Sequence, residues 1–217
     1  MNGTTVKFDL GQMFTGSWEV YKKNIGPLLG AVVVIWAILV VGSSASAFVL
    51  RVGSLAVMAL AGPLLMGLFK MIRQALREEP VDFNLLFSEF KRFPDAYVAA
   101  LLIGVFSMIG MVFCIIPGAI IKVCYASTFL FMNEKNLPFW DAMEASRKMA
   151  MNNLGQWAIL ALALFGLNLV GAIPCGLGLL VTAPMTYIII TMAYDLEQKA
   201  VIDVTAAPVT PSDATSA

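Results

Sequence analysis

Residues 149–194 read MAMNNLGQWAILALALFGLNLVGAIPCGLGLLVTAPMTYIIITMAY, without a single Asp, Glu, Lys or Arg. A helix needs about 20 apolar residues to cross a ~30 Å hydrocarbon core. The stretch is too long for one crossing and long enough for two. Ile173-Pro174-Cys175-Gly176 divides it. A proline ring bars the residue before it from the α region, and glycine permits the reversal, so the pair ends a helix. The reading is a membrane hairpin with spans at 154–173 and 177–194 and an external turn at Pro174.

The same pattern occurs twice upstream. Residues 24–50 and 52–69 are uncharged and separated by Arg51, within a turn running from Gly42-Ser43-Ser44 to Gly53. Residues 96–133 carry only Lys122 and are divided by Ile116-Pro117-Gly118, with an external turn at Pro117. Spans are therefore expected at 25–48, 53–72, 96–115 and 118–133. The expected fold is an all-α, integral membrane six-helix bundle forming one transmembrane domain over residues 1–205. Residues 206–217, rich in Ala, Pro, Thr and Ser, read as a disordered cytoplasmic tail.

Composition supports this. Of 217 residues, 59% are hydrophobic and 13% charged, and mean hydropathy is +0.84. A soluble domain carries about 25% charged residues. Half that charge cannot coat a water-soluble particle, which argues against a soluble globular enzyme; so apolar a chain is not disordered over most of its length. Lys plus Arg equals Asp plus Glu at 14 each, so no excess of positive charge points to nucleic acid.

Charge distribution sets the orientation. With six spans, Lys7, Lys22, Lys23, Lys70, Arg73, Arg77, Lys91, Arg92, Lys135, Arg147, Lys148 and Lys199 fall on one side, and Arg51 alone on the other. Basic residues stay on the cytoplasmic side during insertion. Both termini are then cytoplasmic, in a bacterial cytoplasmic (inner) membrane. The span at 118–133 is short and holds Lys122, but omitting it would translocate Arg147 and Lys148 and weaken the bias.

An aromatic-rich segment precedes each hairpin: Phe8–Tyr21, Phe83–Phe93 and Phe139–Met149. Their aromatics recur at spacings of three and four, as in an amphipathic helix lying in the membrane interface. Ser17, Ser88 and Ser146 are each followed seven residues later by Asn24, Asp95 or Asn153, where a span begins. The reading is three pseudo-repeats of interfacial helix plus hairpin, with the Asn or Asp as an N-cap.

Few residues stand out as sites. Lys122 is the intramembrane charge; at a bilayer centre it would cost about 2.5–3.5 kcal/mol. Either its stem snorkels to the external headgroups or it faces a ligand. Lys70, Arg73 and Arg77 form one basic stripe, which serves as lipid-headgroup binding or as ordinary cytoplasmic retention. Pro63 and Pro184 each remove a helical hydrogen bond and should kink their spans. Thr182, Thr186, Tyr187, Thr191 and Asn168 could bond across helices. Cys114 and Cys175 read as small buried hydrophobes, with a disulfide the lesser alternative. No metal, cofactor or catalytic set is legible, and the sequence has no His.

Three short motifs carry a resemblance: Ile116-Pro117-Gly118 with Tyr125 following, Asp141-Ala142 to Ser146, and Gly178-Leu179-Leu180-Val181-Thr182-Ala183-Pro184. Together they resemble large bacterial families of multi-pass membrane proteins, similar to the membrane domain fused to some glycerophosphodiester phosphodiesterases. The resemblance spans roughly residues 5–197. It implies the fold and the membrane location. The chain lacks the hydrolase residues, so it implies no activity. The expected function is a non-catalytic scaffold, assembly or accessory component, with anionic lipids, a second copy or another membrane protein as partner. The alternative is a transporter or channel for an uncharged, lipidic or anionic solute.

Overall fold

The computed structural model describes residues 6–48, 52–113, 122, 124–173 and 176–206, and side chains within 39–59, 108–113 and 203–206 are not described. Among the described residues the secondary structure is helical throughout, without a strand. The elements are α1 (Leu10–Lys23), α2 (Ile25–Phe48), α3 (Val52–Leu76), α4 (Leu85–Ser88) running into a 3-10 turn (Glu89–Arg92), and α5 (Phe93–Phe113). There follow α6 (Thr128–Glu134), α7 (Phe139–Asn152), α8 (Leu154–Ala172) and α9 (Leu179–Ala206). Helix α8 and residues Leu179–Ile202 of α9 are long and apolar enough to cross a membrane; Ile25–Ile38 of α2 is a shorter apolar stretch.

Helix α3 is the hub. It packs against α2, α4, α5, α6 and α9. Leu64, Met66, Leu68, Met71 and Ile72 are all buried, so most of the apolar surface of its second half is covered by protein. Gly67 lets α4 approach closely: a Cβ there would meet the Leu86 carbonyl oxygen at 2.2 Å. Gly62 does the same for α5, where a Cβ would lie 2.2 Å from the Ala96 carbonyl oxygen. Pro63 lies inside α3 and Pro184 inside α9, both buried.

The long apolar helices sit where charge spacing puts them, with two differences. Helix α9 runs past the apolar end at 194 to Ala206, because Leu196, Val201 and Ile202 continue it among polar residues. The expected span 118–133 is not one continuous helix. Residues 125–127 form a turn, and the short α6 follows. Thr128, Phe129, Leu130, Phe131 and Met132 are all buried, so the apolar run answers to a protein interior rather than to lipid. The chain nevertheless returns to its starting end: Arg92 before α5 donates to the carbonyls of Met132 and Leu137, each at 2.8 Å. Residues 114–121, 123, 174–175 and 207–217, and with them Cys114, Pro117, Pro174, Cys175 and nearly all of the expected tail, lie outside the described residues.

The first and third segments expected at the interface are helices, α1 and α7, whose inner faces meet protein, whereas the second is only the short α4 and its 3-10 turn. Met13, Ser17 and Tyr21 of α1 are buried, with the helix packed on α9. Ala142, Met143, Ser146, Met149 and Ala150 of α7 are buried, with the helix packed on α6 and α5. Trp18 and Trp140 point outward.

The hinge residues Asn24 and Asn153 share a backbone conformation, φ −122°, ψ 32° and φ −134°, ψ 41°. Neither caps the following helix with its side chain, contrary to the expectation. Asn24 Nδ2 donates back to the Val20 carbonyl at 3.1 Å. Asn153 Nδ2 donates to the Val6 carbonyl and to Glu197 Oε1, both at 2.7 Å, tying α8 to the N-terminal segment and to α9. Asp95 lies inside the first turn of α5, where a carboxylate complements the helix dipole.

Candidate functional site

Two polar features stand out: a charged end and a cavity that holds an isolated lysine.

The charged end is built from the last turn of α3 and the termini that surround it. Lys70 pairs with the buried carboxylate of Glu89. Arg73 pairs with Glu134 at the end of α6 and donates to Asp195 Oδ1 of α9 at 2.5 Å. Its guanidinium carbon also lies 5.7 Å from the centroid of the Tyr194 ring, within cation–π reach. Only Arg77 of the expected stripe is exposed, with no ion pair among the described residues. Lys70 and Arg73 are therefore committed to carboxylates, and the reading of an open three-residue headgroup stripe is corrected accordingly. The carboxylates come from distant segments, which spacing within α3 cannot reveal. A pocket of about 430 Å³ remains beside them, walled by Lys70, Arg73, Arg77, Asn133 and Glu134. Across the same end, Lys23 Nζ lies 2.9 Å from Glu78 Oε1, and each group stabilises the charged form of the other.

On the outer side of α7, Arg147 holds Glu144 with two hydrogen bonds of 2.8 and 2.7 Å. Those bonds, helped by Lys148, push the Glu144 carboxyl down to about 2. A carboxyl with a lowered pKa adds stability above its unfolded value, about 4.3, and loses it as pH falls through the folded one. The thermal midpoint gap between Glu144→Gln and the parent should be small, since the pair is exposed. It should hold steady from about pH 7 to 5 and close toward about pH 2. Thermal unfolding in detergent across that range measures it.

The cavity lies between α3, α5, the 125–129 segment and α9, and measures about 740 Å³. A second lobe of about 410 Å³ opens toward α8. Lys122, Ala126, Tyr187 and Ile190 wall both. Lys122 is exposed and has no ion pair among the described residues. Ser107 is buried in the wall of the larger lobe, and its hydroxyl has no partner among the described residues. Sequence reasoning missed Ser107, because one hydroxyl in an apolar run has no periodic signature.

The expected cross-helix bonds are present in the smaller lobe. Asn168 Nδ2 donates to Thr186 Oγ1 at 2.8 Å, and Thr182 Oγ1 donates to Asn168 Oδ1 at 3.2 Å, joining α8 to α9. Thr191 satisfies itself on the Tyr187 carbonyl. Among the described residues, no group of His, Cys, Asp or Glu could hold a metal ion. No protein-family model, curated protein or solved structure matches the chain.

Proposed function

We propose that the chain is a multi-pass protein of the bacterial cytoplasmic membrane, its charged end facing the cytoplasm, and that it acts as a non-catalytic scaffold or accessory component. The observation that carries this reading is the outward face of α8. Leu162, Phe165, Val170 and Ile173 are 72%, 66%, 65% and 77% exposed, and Ile159 and Leu169 extend the same surface. Contiguous apolar patches beyond a few hundred Å² are rare on soluble monomers and mark membrane or protein contacts. Near the charged residues the surface changes character: Trp18, Phe83, Phe87, Phe90 and Trp140 are exposed, the aromatic belt of a membrane–water interface.

In this reading six crossings enclose the bundle, the fourth made by a broken return rather than a straight helix. Non-helical backbone is tolerated at membrane depth when protein surrounds it. The matching hinges at Asn24 and Asn153 support the repeat of short helix plus hairpin in its first and third units. The non-catalytic reading is supported by how six of the carboxylates are used. Glu89, Glu134 and Asp195 neutralise Lys70 and Arg73, Glu78 and Glu144 pair at the surface, and Glu197 is bonded to Asn153. These six are committed to cations or to an amide. Arg77 remains the exposed cation of the stripe for anionic lipid headgroups.

Crosslinking in native membranes followed by affinity purification tests the scaffold role. A stoichiometric partner or a defined homo-oligomer supports it, and an inert monomer counts against it. A transporter is the second reading, favoured by the lysine-bearing cavity. Flux of an anionic or lipidic solute into proteoliposomes, lost in Lys122→Ala, would establish that one instead.

A further inference from the structure

We infer that the two-lobed cavity around Lys122 is a binding site for one long-chain fatty acid carboxylate. The inference rests on the membrane reading above and adds a ligand to it.

Three independent features converge. The larger lobe, at about 740 Å³, falls within the ~300–1,000 Å³ of small-molecule sites. Its wall is apolar over most of its length. Ala61, Leu65 and Phe69 of α3 supply three successive turns, about 12 Å of helix. This suits one acyl chain.

The second feature is charge. Lys122 lines both lobes and has no ion pair among the described residues, whereas Lys70 and Arg73 at the charged end are both neutralised. An exposed, unpaired cation on an otherwise apolar wall suits an anion that carries a hydrocarbon chain.

Ser107 is the third. Its hydroxyl is buried in the same wall and unsatisfied, and such a group is costly unless something completes its hydrogen bonding. A carboxylate has two oxygens: one can take the Lys122 ammonium and the other the Ser107 hydroxyl proton. The acyl chain then lies between α3 and α5 toward Phe69 and Phe129.

The test uses the full chain in phosphatidylcholine nanodiscs and a palmitate analogue bearing a chain diazirine. The expected result is saturable photolabelling on peptides covering residues 100–107 and 187–190. Palmitate should remove the label, and equimolar hexadecanol, which has the chain but no charge, should not. Lys122→Gln should weaken apparent affinity about tenfold, equivalent to about 1.4 kcal/mol. Lys122→Arg should largely retain it, and Ser107→Ala should weaken it about threefold. Elution volume and thermal midpoint establish that each variant is folded. Label that does not saturate, label centred on Leu162 and Phe165 of α8, equal competition by hexadecanol, or an unchanged affinity in folded Lys122→Gln would each overturn the assignment. Stronger competition by phosphatidylglycerol than by palmitate would overturn it in favour of a phospholipid. A chain that carbonate washing releases from membranes would sink the membrane reading itself. One that stays embedded and labels diffusely loses only the ligand.

Discussion

Gly67→Ala should lower stability by about 2 kcal/mol, despite replacing glycine with a better helix former. The added methyl would sit 2.2 Å from the Leu86 carbonyl oxygen and 2.7 Å from that of Leu85, both backbone atoms of α4. Neither can rotate aside, so α4 must move off the hub helix and take the buried Leu86 with it. Overpacking of this kind costs about 1–3 kcal/mol, and a backbone obstacle places it near the upper end. Helix propensity returns about 1 kcal/mol. Gly166→Ala in α8 is the matched control, since nothing lies within 4 Å of its added Cβ. There the propensity gain acts alone and stability should rise. Thermal unfolding of both variants in the same detergent separates the two effects.

Arg73→Ala should be at least as damaging, for a different reason. The guanidinium joins α3 to the end of α6 through Glu134 and to α9 through Asp195, and its side chain is only 17% exposed. Truncation leaves two carboxylates facing each other without a cation. Breaking a fully buried pair costs about 3–5 kcal/mol. Here the carboxylates are about a third exposed, so about 2–3 kcal/mol is expected after solvent screening. Arg73→Lys should recover less than half, because one ammonium cannot reach two acids in the fork geometry of a guanidinium. Removing both acids together with Arg73 should cost less than removing Arg73 alone, which a multiple-mutant cycle reads directly.

Much of the helix placement was legible because charge marks where apolar helices stop. Helix α2 fills the expected 25–48, and α8 ends one residue short of the expected 173. Hydropathy counts apolar side chains without saying what covers them. For that reason 118–133 read as a span, although Thr128–Met132 is enclosed by protein. Two of the three serine-to-Asn/Asp spacings end at helix junctions, Asn24 and Asn153, whereas Asp95 lies within α5. They could not show that Asn153 would reach Val6 and Glu197, since those partners are remote in sequence. The basic stripe shows the same limit: spacing of three and seven sets a shared face, while the acids paired with it come from the 3-10 turn, α6 and α9. Lys122 was visible as an isolated charge, whereas the cavity around it depends on where four separate segments meet.

Oxygen and nickel-chelate accessibility of a spin label at Leu162, the native cysteines having been replaced, bears most directly on the claim that lipid covers the outward face of α8. The account predicts high oxygen and low chelate accessibility at Leu162, with the reverse at a label on Arg77. A chelate that reaches Leu162 as readily as Arg77 would place that face in water and contradict the membrane reading.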